Sequence, residues 1–169
     1  MAMEIERKFL LKHDLPRELL NLADKLVITQ GYLAIDKDKV VRIRASESKK
    51  YECFNSAFLT VKSRRGNGIS REEIETPIRY DKALEMLKYA EGNLIEKTRY
   101  EIPIENTNLK WEIDEFHGHN KGLWIVEIEL EDEEQEFYKP SWLGEEISQD
   151  KRYANSKLSK HPWPFKEEK

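Results

Sequence analysis

The chain is poor in the residues that mark the commoner chemistries. It has one cysteine, Cys53, in 169 residues. That rules out an internal disulfide and a cysteine-built zinc cluster, and a small buried side chain is the simplest reading of Cys53. Its seven glycines form no phosphate-binding loop. "RRGNG" (Arg64 to Gly68) lacks the lysine and spacing of a P-loop and reads as a turn between strands. No G-x-S-x-G motif supports serine catalysis. His117 and His119 form an H-x-H pair with no third ligand at clear spacing, so a turn with ordinary histidines is the better reading. No apolar run approaches a membrane span, and no basic region followed by an apolar stretch marks a secretory signal. A soluble cytoplasmic protein without a membrane partner is the expectation.

An excess of one charge is missing too. There are 33 acids against 29 bases, for a net charge of -4. A nucleic-acid partner is therefore not expected. Trp111, Trp124, Trp142 and Trp163 are not interleaved with a basic patch and read as packing. What the chain does have is charge of both signs: 37% of its residues are Asp, Glu, Lys or Arg, well above the usual quarter. Four Trp, seven Tyr and six Phe exclude a disordered acidic chain. The length suits one domain, residues 1–169.

Period-two alternation dominates, which is the strand signal. It runs through "EIERKFLL" from Glu4, "VVRIRAS" from Val40, "FLTVKSR" from Phe58, "REEIETPI" from Arg71, "EKTRYEI" from Glu96, "KWEIDEF" from Lys110 and "WIVEIELE" from Trp124. "VITQGYLAI" (Val27 to Ile35) is an eighth strand, more apolar than the rest. Helical spacing predicts "DLPRELLNLADKL" with Asp14 as N-cap, "DKALEMLKYAEG" ending at Gly92, a short acidic helix "DEEQEFYKP" ended by Pro140, and a last helix "DKRYANSKLSKH". "KEEK" reads as a frayed tail. Short connections favour an antiparallel sheet.

Seven of these strands turn charge to one face, six of them as pairs at i, i+2, and the signs sort by strand. Acid pairs are Glu4/Glu6, Glu73/Glu75, Glu112/Asp114 and Glu127/Glu129. Basic pairs are Arg42/Arg44 and Lys97/Arg99, with Lys8, Lys62 and Arg71 as single additions. Each pair falls on one face, about 7 Å apart. For a single strand, a water-facing sheet with weak cross-strand ion pairs explains this well. Seven strands repeating it favour a sheet closed on itself with the charges inside, and eight strands suffice for a small barrel. Forked arginines suit phosphate oxygens, and carboxylate pairs suit hard divalent cations. A cavity with both needs a ligand with both, such as a polyphosphate bound with a metal. Arg7 falls on the outer face and has no assigned role.

The start "EIERKF" resembles the E-x-E-x-K signature of the CYTH superfamily, the triphosphate tunnel metalloenzymes. "RIR", "TVKS", "SREEIE", "EKTRY", "EIDEF", "VEIEL" and "WLGEEISQDKRYAN" continue the resemblance in order along nearly the whole chain. The closing motif is most similar to the compact bacterial inorganic triphosphatases. The resemblance implies an α+β fold: a closed eight-stranded antiparallel barrel with a charged interior and helices packed outside. It implies Mg2+ or Mn2+ held by Glu4, Glu6, Asp114, Glu127 and Glu129. Lys8, Arg42, Arg44, Lys62, Lys97, Arg99 and Lys151 would grip the triphosphate. Glu4, Glu6 and Lys97 would be catalytic, and Glu73, Glu75 and Glu112 further tunnel acids. Asp150, Lys151 and Arg152 match an element near one tunnel mouth. The long "SESKKYECFNSAF" stretch exceeds a tight hairpin and bears on an entrance.

The expected activity is metal-dependent hydrolysis of inorganic triphosphate by a monomer or homodimer. Adenylate cyclase and thiamine or nucleoside triphosphatase are alternatives that use the same tunnel. A non-catalytic polyphosphate-binding module is the alternative of another class.

Overall fold

The computed structural model describes residues 2–50, 54–65 and 69–167. Cys53, the tip of the "RRGNG" turn and the last two residues of "KEEK" lie outside them. Nine strands and three short helices run in the order β1 (Ala2–Leu11), α1 (Arg17–Leu22), β2 (Asp24–Ile35), β3 (Lys39–Ser48), β4 (Asn55–Ser63), β5 (Ser70–Pro77), α2 (Tyr80–Leu87), β6 (Glu91–Pro103), β7 (Lys110–Phe116), β8 (Trp124–Leu130), β9 (Leu143–Glu146) and α3 (Asn155–Leu158). Eight strands close antiparallel in the order β1-β5-β4-β3-β2-β6-β7-β8, with β8 returning to β1. Closure leaves no free barrel edge. Along its other side β1 meets β5 through Ala2 to Ile5 and then β9 at Phe9 and Leu11. Among the described residues no helix is long and apolar enough to cross a membrane.

The barrel reverses the usual layering. Its apolar packing lies outside the wall. Phe9, Trp111, Ile113, Val126 and Ile128 sit under Leu15, Leu109 and Trp142, while Ile43, Ala45 and Ala57 sit under Ala83 and Leu87 of α2. A third cluster closes one end: Ile147, Tyr153 and Leu158 pack on Tyr32, Val40, Ile95 and Phe116. The apolar half of each alternation therefore faces helices and loops, and the charged half has only the interior left.

The outlying elements depart from the sequence pattern. "DEEQEFYKP" forms turns and extended chain, not a helix. The Asp132 carboxylate accepts from the Glu134 N–H and Gln135 Oε1 from the Glu131 N–H. These side-chain bonds occupy donors that would otherwise join a helical ladder. The first helix is shorter at both ends, with Pro16 as its N-cap, and Asp24 to Leu26 pair with β3 or β6 instead. The second stops at Leu87, and Gly92, at φ +68°, is already the second residue of β6. The last helix divides into a 3-10 turn, Lys151–Tyr153, and α3. The four-residue β9 was not foreseen. Gly144 lets it approach closely, since a Cβ there would lie 2.7 Å from the Leu10 carbonyl oxygen. Arg7 clamps it: Nε and Nη2 donate to both Glu146 oxygens at 2.7 and 2.8 Å, with the guanidinium over Phe137.

Candidate active site

The barrel encloses a cavity of about 250 Å³. β1 sends in Glu4, Glu6 and Lys8; β3 sends Arg42 and Arg44; β4 sends Thr60 and Lys62. Arg71, Glu73 and Glu75 come from β5, Lys97 and Arg99 from β6, Glu112 from β7, and Glu127 and Glu129 from β8. Strand register sets the walls. Glu6 lies opposite Glu129, Lys8 opposite Glu127, and Glu112 opposite Glu127. The arginines of β3 and the Lys97/Arg99 pair of β6 are separated by β2, whose Gln30 pairs with Arg44. A second hollow of about 190 Å³ leads off past Lys37, Arg64, Ser148, Asp150, Lys151 and Lys157, sharing Lys8, Lys62 and Arg71 with the first. Lys151 thus stands at a mouth and not among the inner bases. Arg152 turns away and pairs with Asp150 at 2.7 Å.

Most inner acids are engaged by bases. Lys62 Nζ is 2.6 Å from Glu4 and 3.5 Å from Glu73. Lys8 Nζ is 3.5 Å from Glu6 and 3.7 Å from Glu127. Burial alone would lower the Lys8 ammonium, but Glu127 and Glu6 outweigh it and raise it. Glu6 is held below the usual carboxylate range by Lys8 despite its burial. Arg99 donates to Glu112 at 2.6 Å and, from Nε and Nη2, to Asp114 at 2.7 and 2.8 Å. Asp114 also accepts from Lys97 Nζ at 2.8 Å. Both its oxygens are therefore committed to bases. Asp114 is fully buried, outside the cavity lining.

Two places are left out of balance. On the basic side, Arg44 has no ion pair among the described residues. Its only side-chain partner there is the neutral Gln30 Oε1, at 2.8 Å. Burial, then Arg42 and Arg99, bring the Arg44 guanidinium down to about 10. Neighbouring Arg42 has Glu75 at 3.6 Å, and its Nε is buried without a partner among the described residues. Burial, with Arg99 and Arg44, carries Lys97 down to about 7 against the pull of Asp114. On the acidic side, Glu129 has no basic partner among the described residues. Partial burial and the carboxylates of Glu4, Glu112, Glu6 and Glu73 push it up to about 7. The ligand that relieves both must bring negative charge to one wall and positive charge to the other.

The CYTH domain family model matches residues 2–162. An inorganic triphosphatase of Acetivibrio thermocellus is 45% identical over 99% of this chain and all of its own length. One from Nitrosomonas europaea is 36% identical, covering 92% of this chain and 96% of its own. The chain belongs to the CYTH family. Among solved structures, the crystal structure of the inorganic triphosphatase NE1496 superposes with a TM-score of 0.62 at 32% identity, covering 94% of this chain and 95% of that one.

In this CYTH barrel, sequence reasoning placed the charged residues by parity. It gave no role to Gln30, Thr60 or Asn155, although Thr60 shares the face of Lys62. All three are buried. Thr60 accepts from Arg42 Nη2 at 3.2 Å and donates to Glu75 at 3.0 Å. Nothing in their own spacing separates a neutral residue that orients an arginine from an ordinary polar one. His117 and His119 lie in the turn between β7 and β8, where His117 Nε2 meets Thr98 Oγ1 at 2.8 Å.

Proposed function

We propose that this CYTH protein hydrolyses inorganic triphosphate to pyrophosphate and phosphate within the barrel. The observation that carries the reading is Arg44: a cation sheltered in the cavity with no counter-ion among the described residues, beside a second arginine whose Nε lacks a partner among them. Such a site is completed by an anion that accepts several donors at once. Arg42, Arg44, Lys97, Arg99, Lys8 and Lys62 would bind the phosphate oxygens, with Lys151 drawing the chain in at the mouth. The names of the relatives support the inorganic substrate.

The oxygen donors of Glu4, Glu6, Glu127 and Glu129 fit a hard cation, Mg2+ or Mn2+. Among the described residues no three ligating side chains are gathered closely enough to hold a metal by themselves, so phosphate oxygens would share the ligation. Bound there, the cation supplies charge neutralisation and orientation. Asp114, with both oxygens on Lys97 and Arg99, would hold those bases in place. Hydrolysis forms one bond, from a water oxygen to the terminal phosphorus, and breaks the bridging P–O bond. The two electrons of that bond leave with pyrophosphate. The bases neutralise charge on the transferred group and leaving group, and a carboxylate among Glu4, Glu6 and Glu129 orients the water. Positioning and charge stabilisation would do most of the catalysis.

The test is a panel of tripolyphosphate, longer polyphosphate, ATP and thiamine triphosphate, each with magnesium and with manganese. Phosphate release fastest from tripolyphosphate is expected. Cyclic AMP formed from ATP would select the cyclase alternative. No metal-dependent release from any of the four would sink the proposal.

A further inference from the structure

β2 faces the cavity without a charge. Its inward residues are Ile28, Gln30 and Tyr32, all buried, yet it runs between the two basic strands. Gln30 Oε1 accepts from Arg44 Nε at 2.8 Å, and Gln30 Nε2 donates to Asn155 Oδ1 at 2.9 Å. Asn155 Oδ1 also accepts from Lys97 Nζ at 2.9 Å. A guanidinium nitrogen only donates, so the atom facing Arg44 must be the Gln30 oxygen, which turns Gln30 Nε2 onto the Asn155 oxygen. Arg44 thereby fixes the orientation of both amides. In Asn155 the oxygen lies against Lys97 and Gln30, and Nδ2 necessarily points away from them.

Asn155 lines the cavity. Its Nδ2 has no acceptor among the described residues, and it is not sealed in, since Arg42 Nε is the only buried side-chain nitrogen or oxygen there without a partner. A two-proton donor that is neither paired nor sealed in thus belongs to a residue of the cavity wall, near Arg44 and Lys97. We propose that Asn155 contacts the substrate: Nδ2 donates to an oxygen of the bound triphosphate, while Oδ1, with Gln30, sets the positions of Lys97 and Arg44. The inference rests on the triphosphate reading above and adds to it a neutral contact delivered by a different part of the chain.

A neutral donor suits this place. Arg42, Arg44, Lys97 and Arg99 already crowd one wall, and Arg44 is brought down by burial and by its two arginine neighbours. A further cation would add to that repulsion, whereas an amide adds hydrogen bonds without charge. Asn155 belongs to no barrel strand. It opens α3, which is seated by Ile147, Tyr153 and Leu158 on Tyr32, Val40, Ile95 and Phe116. The contact therefore exists only while this segment is docked.

Asn155→Asp keeps an oxygen for Lys97 and Gln30, removes Nδ2 and adds a carboxylate, so a raised KM reports the lost donor together with the added charge, while an unchanged KM excludes the contact. The expected result is a melting temperature near wild type and a KM for tripolyphosphate raised about 10- to 100-fold, the range for one hydrogen bond to a charged group. A KM within about threefold of wild type would overturn the proposal.

A second measurement does not depend on turnover. The side-chain amide pair of Asn155, identified by its loss from the Asn155→Asp spectrum, is followed by NMR as tripolyphosphate and magnesium are added to the wild-type protein. A downfield shift saturating together with the Arg42 and Arg44 Nε signals supports the contact. Arginine signals that move while the Asn155 pair stays fixed overturn it and leave the triphosphate reading intact. No movement in any of them overturns both.

Discussion

The two faces of β1 obey different rules. Inward, Glu4, Glu6 and Lys8 meet other charges at 2.6 to 3.7 Å. Outward, Ile5 and Phe9 pack into apolar clusters, and Arg7 bridges to β9. The same backbone thus separates a face whose energy comes from area removed from water from one whose energy depends on pairing. The outer face is satisfied as it stands. The inner one belongs to a wall on which, among the described residues, Arg44 of β3 and Glu129 of β8 lack counter-charges, and it is completed by what binds. Fold and activity should therefore respond to different substitutions.

The largest effect expected is on the outer side. Trp111→Ala should cost about 3–5 kcal/mol in urea unfolding, while the protein that remains folded keeps its KM. A parallel collapse of KM would break the separation. On the inner side, Lys97→Ala or Glu6→Ala should lower turnover by more than about 100-fold, on the order of 2.7 kcal/mol or more in the barrier, with circular dichroism unchanged. Near-wild-type turnover in both would count heavily against the site. Glu129→Gln should sharpen the contrast by lowering turnover and yet raising the melting temperature of metal-free protein. Glu129 sits among four carboxylates, and solvent holds the gain to about 1 kcal/mol or less.

The smallest effect belongs to Arg7→Ala, under about 1 kcal/mol for a partly exposed pair. Its pH dependence has a definite sign. The hydrogen bonds from Arg7 hold Glu146 below its ordinary value of 4.5. The pair's contribution is therefore complete above that pH and fades as pH falls through the folded-state value. A double-mutant cycle with Glu146→Ala that shows the same coupling in strong acid as at neutral pH would refute this.

How much of this was legible follows the same division. Inward charges announce themselves, because alternation is a period-two signal and Glu, Lys and Arg are unmistakable in it. The ring of eight strands followed from that regularity. Outer elements were less legible. β9 spans four residues without alternation, and its place depends on Gly144 and on Arg7 meeting Glu146. The acidic segment after β8 had a helical composition, but Asp132 and Gln135 turned their side chains onto its backbone. Gln30 and Asn155 are neutral amides whose orientation is fixed from Arg44, which pairing with β3 brings to Gln30. Asp114 was legible as an inner acid, but its burial behind the two bases of β6 was not.

Closure of the ring also sets an order of events. Ile5 pairs with Leu130, so β1 waits for almost every other strand before its second barrel partner exists, and long loop closures of this kind are slow. A chain emerging from the ribosome with β1 through β7 already carries the inner bases from Lys8 to Arg99, but its first and last strands are still unpaired edges. β8 brings Glu127 and Glu129 and shuts the ring in the same step. The tunnel is thus made all at once and late, and an incomplete chain presents sticky edges rather than a weaker version of the site.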